Sequence, residues 1–211
     1  MKYLLTAGFL FVSVVLMAQN NKGGWTNLFD GKTFNGWKKI TGNAEYTIEN
    51  GMITGTTVPN TPNTFMVTEK EYSDFILELE VMIEDTTSNS GIQFRSHYDP
   101  NMNQGKGRVY GYQYELDPSF RKWTGGLYDE GRRDWLYPLV LHPSAQNAYK
   151  HGVFNKVRVE CIGSNIKTWV NDIPAAYVVD TFDRSGLLHC RFMLSLILLW
   201  REEKFIGKIS A

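Results

Sequence analysis

Two short stretches hold residue types that can do chemistry. The first is Ser90-Gly91-Ile92-Gln93-Phe94-Arg95-Ser96-His97, and the second is Gly111-Tyr112-Gln113-Tyr114-Glu115-Leu116-Asp117. Both alternate polar with apolar residues, which is the period of a strand whose side chains point to opposite faces in turn. Regular alternation puts Gln93, Arg95 and His97 on one face and Ile92 and Phe94 on the other. In the second stretch Gln113, Glu115 and Asp117 share a face. Laid side by side, the two strands gather amides, carboxylates, an Arg and a His on one sheet face. Planar amides, carboxylates and guanidinium groups bond vicinal hydroxyls in pairs, as recognition of a sugar requires. Aromatic rings then cover the apolar faces of the sugar. Trp123, Tyr128 and Trp135 follow, in a segment that also holds Asp129, Arg132 and Arg133. A plain solvated strand face would explain Glu78 and Glu80. It explains Gln-x-Arg-x-His and Gln-x-Glu-x-Asp less well.

The elements that position these residues read as strands and turns. Ala44 to Ile48 and Met52 to Gly55 flank Glu49-Asn50-Gly51, and the Asn-Gly pair is a strong hairpin signal. Asp74 to Ile83 alternates Phe75, Leu77, Leu79 and Val81 against Ile76, Glu78, Glu80 and Met82, as a half-buried strand does. Val153 to Cys161 repeats the pattern, and Ile166 to Val170 and Ala176 to Val179 flank the turn Asn171-Asp172-Ile173-Pro174. Helical periodicity is scarce. Many antiparallel strands at short spacing predict an all-β sandwich or barrel, and 211 residues suit a single such domain.

Composition narrows the function classes. Lys+Arg and Asp+Glu are 22 each, so no basic surplus points to a nucleic-acid partner. Lys2 followed by the apolar run Tyr3 to Met17 and then Ala18 reads as a secretory signal peptide over residues 1–18, with a short leader over 19–24. The expectation is export to the periplasm or beyond, with no membrane association after cleavage. Cys161 and Cys190 read as buried thiols rather than a disulfide framework. No second His stands at ligand spacing from His97, so no cofactor is evident, although a divalent metal stays open. No P-loop, dinucleotide fingerprint or Gly-x-Ser-x-Gly elbow occurs.

Several ordered motifs resemble one family. Leu28-Phe29-Asp30-Gly31-Lys32 with Gly36-Trp37 resembles the opening "LFDGK-x-x-x-GW" of the DUF1080 family, also called the 3-keto-disaccharide hydrolase domain. Ile48 to Ile53 is similar to its next hairpin, and Asn89 to Arg95 to its "NSGI-x-x-R" strand. Gly111 to Asp117 is similar to its "GYE-x-Q-x-x-D" strand. Asn155 to Val159 and Thr168 to Asp172 are similar to its late strands. The resemblance runs from about Trp25 to Gly186. It implies a concanavalin A-like jelly-roll sandwich of two antiparallel sheets, export, and action on glycosides, including ones oxidised at C3. A ketone at C3 acidifies the C2 proton, so a base can remove it, a donor can hold the enolate, and the C1 substituent leaves.

On that reading Glu115 is the first candidate for the base and His97 the second. Arg95 binds the enolate or a hydroxyl, and Asp117 orients Arg95 or serves as a second acid-base group. Gln93, Gln113, Tyr112, Trp123, Tyr128, Asp129 and Arg133 line the substrate, an oligosaccharide or glycoside. A direct glycosidase using Glu115 and Asp117 fits less well, because both carboxylates lie on the same side of any substrate. Two competing readings are a non-catalytic carbohydrate-binding module and a structural surface domain. Oligomeric state is not legible.

The end departs from the family. Its members close with "G-x-I-x-L-Q-x-H" and a further strand, whereas Gly186 here is followed by LLHCRFMLSLILLWREEKFIGKISA. Codons can be chosen so that reading one nucleotide earlier gives a family-like ending, which points to a single-nucleotide frameshift. The family's closing Gln and His would then fall where Arg191 and Met193 stand. Residues 187–211 are accordingly expected to form an aberrant tail that pairs poorly with the sandwich.

Overall fold

The computed structural model describes residues 24–56, 58–84, 89–192 and 201–209, with side chains up to residue 189. The stretch read as a signal peptide lies outside the described residues. The described residues form thirteen strands. In chain order these are β1 (Trp37–Ile40), β2 (Glu45–Glu49), β3 (Met52–Thr56), β4 (Thr64–Val81), β5 (Ser90–Asp99), β6 (Arg108–Leu116) and β7 (Leu127–Glu130). They continue with β8 (Asp134–Tyr137), β9 (Asn155–Ile162), β10 (Asn165–Val170), β11 (Ile173–Val179), β12 (Gly186–Phe192) and β13 (Arg201–Ile209).

All pairings are antiparallel, and β4 belongs to two layers. Its first half pairs with β1 and β12, from Phe65↔Ile40 to Tyr72↔Gly186. Its second half pairs with β9 and β13, from Phe75↔Cys161 to Val81↔Asn155 on the β9 side. The front layer therefore runs β1-β4-β12-β5-β6-β7-β8, and the back layer runs β13-β4-β9-β10-β11. Between them lies one apolar core. Phe75, Leu77, Leu79, Val81, Val157, Val159, Ile166 and Val170 fill it from the back, and Ile92, Phe94, Tyr112, Tyr114, Leu116 and Leu127 from the front. The outward positions of the back layer carry Glu78, Arg158, Glu160 and Lys167, joined as ion pairs. That division is the period-two pattern of Asp74 to Ile83 acted out. The β2–β3 hairpin turns at Asn50 and Gly51, both at positive φ, as its Asn-Gly signal requires.

One local expectation changes. The β10–β11 turn is only Asn171-Asp172, both left-handed, so Ile173 and Pro174 already belong to β11. Pro174 is tolerated there because β11 is an edge strand. Much of the tail expected to pair poorly lies outside the described residues, and where it is described its pairing is broken by register shifts after Leu187, Arg201 and Gly207. Strand β12 sits between β4 and β5, with Leu188 in the core, and β13 pairs along the second half of β4. The side chains of the apolar run from Met193 lie outside the described residues.

Candidate functional site

Registers across the front layer line up one row of side chains. Lys38 pairs with Val67, Val67 with His189, His189 with Gln93, Gln93 with Gln113, Gln113 with Tyr128, and Tyr128 with Trp135. Directly paired residues share a face, so all seven lie on the side turned away from the core. The next row holds Ile40, Phe65, Gly91 and Glu115. One end is apolar (Phe65 and Val67), the middle polar (His189, Gln93, Gln113 and Glu115), and the other end aromatic.

The polar middle is a single hydrogen-bonded chain. Glu115 accepts from Asn89 Nδ2 at 2.9 Å and from Gln113 Nε2 at 2.7 Å. A carboxylate only accepts, so it fixes the direction of the Gln113 amide. Gln113 Oε1 then accepts from Gln93 Nε2 at 3.2 Å, which leaves Gln93 Oε1 as an acceptor facing His189 Nδ1 at 3.3 Å. Ser96 Oγ donates to the Leu187 carbonyl at 3.1 Å and lies 3.0 Å from the same Nδ1. Both neighbours of Nδ1 need a donor, so the imidazole carries its proton there. Its Nε2 keeps a lone pair that is buried and has no hydrogen bond. Leaving a buried acceptor unmet costs about 1–3 kcal/mol. Burial, and then the positive charges of His97 and Lys38, push the His189 pKa down to about 3, so the ring is neutral. Gln93, Gln113 and His189 have no exposed surface, and Glu115 is 2% exposed. Gly91 makes this possible: a Cβ there would stand 2.4 Å from Gln113 Cδ, in the path the amide takes to reach Glu115.

Aromatic groups close the far end. Trp135 meets Trp123 and Tyr128 edge-on, at 4.6 and 5.1 Å between ring centroids. All three are half-buried. Arg121 lies over Trp123 at 4.8 Å and is paired with buried Asp117 at 2.7 Å. Asp117 also accepts from the Ser119 amide. It therefore holds the loop after β6 and the Arg121 stack, and does not orient Arg95.

Arg95 and His97 lie elsewhere because β5 does not alternate throughout, and Tyr112 because alternation on β6 turns it to the face opposite Gln113. The pairing with β6 slips between Phe94 and His97, and Arg95 has φ +44°. This is a β-bulge, and it turns Arg95 off the Gln93 face. Glycines on both neighbouring strands accept it. A Cβ on Gly111 would stand 2.6 Å from Ser96 Cα, and one on Gly186 would stand 2.5 Å from the Arg95 carbonyl carbon. Arg95 is fully buried and donates to the carbonyls of Ser73 and Gly163 at 2.8 Å and to Asp74 at 3.1 Å. It ties β4 to the β9–β10 turn rather than reaching toward Glu115. His97 bonds Asp183 at 3.2 Å. Tyr112 points into the core, stacks on Phe94 and donates to Asp180 at 2.5 Å.

Asp129 and Arg133 join Tyr112 and His97 in a second cluster. Arg132 bridges Asp129 and Asp183, and Arg133 bridges Asp129 and Asp180, with Phe182 under both guanidinium groups. Burial would raise the Asp183 carboxyl, but bonds from His97 and Arg132 hold it below the usual carboxylate value. Burial, helped by Asp180, pushes the Tyr112 phenol up to about 12. This cluster clasps the β11–β12 connection to the β7–β8 turn. Gln93, Gln113, Glu115, Tyr128 and Trp123 thus stand together, while Arg95, His97, Tyr112, Asp129 and Arg133 lie in the frame beside them.

Sequence reasoning missed His189, Ser96 and Asn89. His189 was legible as the outward partner of Leu188, but only to a reading that took Gly186 to Phe192 as a strand. Among the described residues, no group of three or more His, Cys, Asp and Glu side chains stands where it could hold a metal ion. Cys161 is a buried free thiol whose pKa burial pushes up to about 12.

The described residues thus make a jelly-roll sandwich with amides, a carboxylate and aromatic rings across one sheet. Residues 24–189 match the 3-keto-alpha-glucoside-1,2-lyase-like domain, and the chain belongs to that family. No curated protein matches the chain. Among solved structures, a candidate glycosyl hydrolase from Parabacteroides distasonis superposes with TM-score 0.62 at 18% identity, covering 88% of this chain and 94% of that one. A Bacillus subtilis protein with a galectin-like fold gives 0.60 at 10%, covering 89% and 100%. The carbohydrate-binding module CBM66 of Bacillus subtilis gives 0.50 at 15%, covering 82% and 96%. At these identities the likeness is one of fold.

Proposed function

We propose that the chain is an exported glycoside-cleaving enzyme acting on 3-keto-glycosides, with Glu115 as the base that removes the C2 proton. The observation that carries this reading is the setting of Glu115. Among the described residues its carboxylate accepts from the amides of Asn89 and Gln113, beside Gly91, and the adjoining row ends in Tyr128 and Trp135, with Trp123 against Trp135. Removal of a proton next to a ketone needs one oriented base, and expulsion of the C1 substituent follows from the enolate. Membership of the family supports this substrate class. Because Gln93, Gln113, Glu115 and His189 are buried, a sugar reaches them only once they are uncovered, whereas Tyr128 and Trp135 are half-buried.

The aromatic end favours one alternative, a non-catalytic carbohydrate-binding module, since such rings stack on sugars without any need for a base. The two readings part on chemistry. Purified protein incubated with 3-keto-disaccharides and with ordinary disaccharides should release free monosaccharide product from the keto series only. Glu115→Gln keeps the shape and loses the base, so turnover should fall by at least about a hundredfold with the fold intact by circular dichroism. Sugar binding without product in the native chain would make it a binding module. Full activity in Glu115→Gln would move the base role to another residue.

A further inference from the structure

The chain of amides leading from Glu115 ends at an atom with no partner. His189 Nδ1 is committed as a donor to Gln93 Oε1 and Ser96 Oγ, and Nε2 is left as a buried lone pair. The ring stands between Val67 and Gln93 in the row, with the Phe65 ring 6.0 Å away. A neutral imidazole with this tautomer has no proton to give from Nε2, so it cannot protonate a leaving group. It can only accept. Lys38 and His97 are the cations whose charge reaches the ring, and neither bonds it.

We infer that His189 Nε2 is an obligate acceptor for one hydroxyl group of the bound sugar, and that Glu115, through Gln113 and Gln93, holds it in the accepting tautomer. This rests on the sugar reading above. Glu115 then has two duties, one at the sugar and one as a positioning residue for His189. The consequence is selectivity. A site that must satisfy a buried acceptor rejects an analogue lacking the matching hydroxyl, because the acceptor stays unmet in the complex. The apolar Phe65 and Val67 beside it offer no substitute donor.

Two measurements test this on the full chain. Nitrogen-15 spectra of the unliganded protein should show His189 protonated at Nδ1 and bare at Nε2, and Glu115→Gln should mix the tautomers. A ring protonated at Nε2 overturns the proposal without any ligand. The second measurement is binding of methyl α-D-glucopyranoside and its 2-, 3-, 4- and 6-deoxy analogues, chosen from the α-glucoside chemistry of the family. One analogue should bind at least about tenfold more weakly than the parent to the native protein, and no more weakly than the parent to His189→Phe, which keeps a ring but no acceptor. Should His189→Phe fold poorly, His189→Leu, which is apolar and has no acceptor, provides the second variant, and the selectivity should again shrink. If the sugars bind and no deoxy position depends on His189, this inference fails alone. If none of the sugars binds, this inference falls, and the 3-keto-disaccharide assay decides the sugar reading on its own.

Discussion

His189 is the residue at which stability and site chemistry meet. Its pKa is near 3 in the folded chain, against about 6.5 for an unperturbed histidine. Below pH 6.5 the unfolded chain binds a proton that the folded chain refuses, so acid favours unfolding. The contribution is complete above pH 6.5 and falls by roughly 1.4 kcal/mol for each pH unit from there toward pH 3. Denaturant titrations between pH 7 and pH 5 should show this slope in the native protein and a shallower one in His189→Gln. An unchanged slope would mean that another group titrates in this window. Nothing in the residue types announced this. A histidine after two leucines reads as noise until β12 is known to pair with β5. Gln93, Gln113 and Glu115, by contrast, were legible from alternation alone, because each sits where a strand keeps strict period two.

At the scale of elements, legibility ended where alternation did. A bulge adds one residue to one strand and reverses the faces beyond it. The sequence Gln93-Phe94-Arg95-Ser96-His97 carries no glycine of its own to mark the slip. The marks are on the neighbours, Gly111 and Gly186, which lie 16 and 91 positions from Arg95. Arg95 was therefore placed beside Glu115 by period, when its guanidinium in fact satisfies carbonyls of the β4 and β9–β10 segments. This changes what its removal should do. Arg95→Ala strands buried acceptors and should cost about 3 kcal/mol or more of stability, read as a lower denaturation midpoint. Lysine should not restore it, because one ammonium cannot serve carbonyls on several sides. A variant of native stability that has lost only sugar affinity would return Arg95 to the binding face. The hairpin at Asn50-Gly51 shows the opposite case, where the turn signal and the strands it joins are adjacent in sequence and were legible together.

For the whole molecule, sandwich architecture followed from strand count and spacing, but the sharing of one strand between layers did not. Period two is the same in either layer, so nothing in Thr64 to Val81 tells the reader where β4 leaves one sheet for the other. Its 18 residues span about 60 Å. Along that length it holds β1 and β12 at one end and β9 and β13 at the other. A sandwich whose layers met only through side chains could lose one layer and keep the other. Here the backbone bonds of both layers converge on one segment, so neither layer can dissolve without stripping β4. Amide exchange should then report one cooperative unit. Protons of β5 and β6 in the front layer and of β9 and β10 in the back should exchange with the same free energy, equal to that of global unfolding. Two separate exchange classes, one for each layer, would show that β4 parts in the middle. With one class, the row from Val67 to Trp135 has no partly unfolded neighbour to open it.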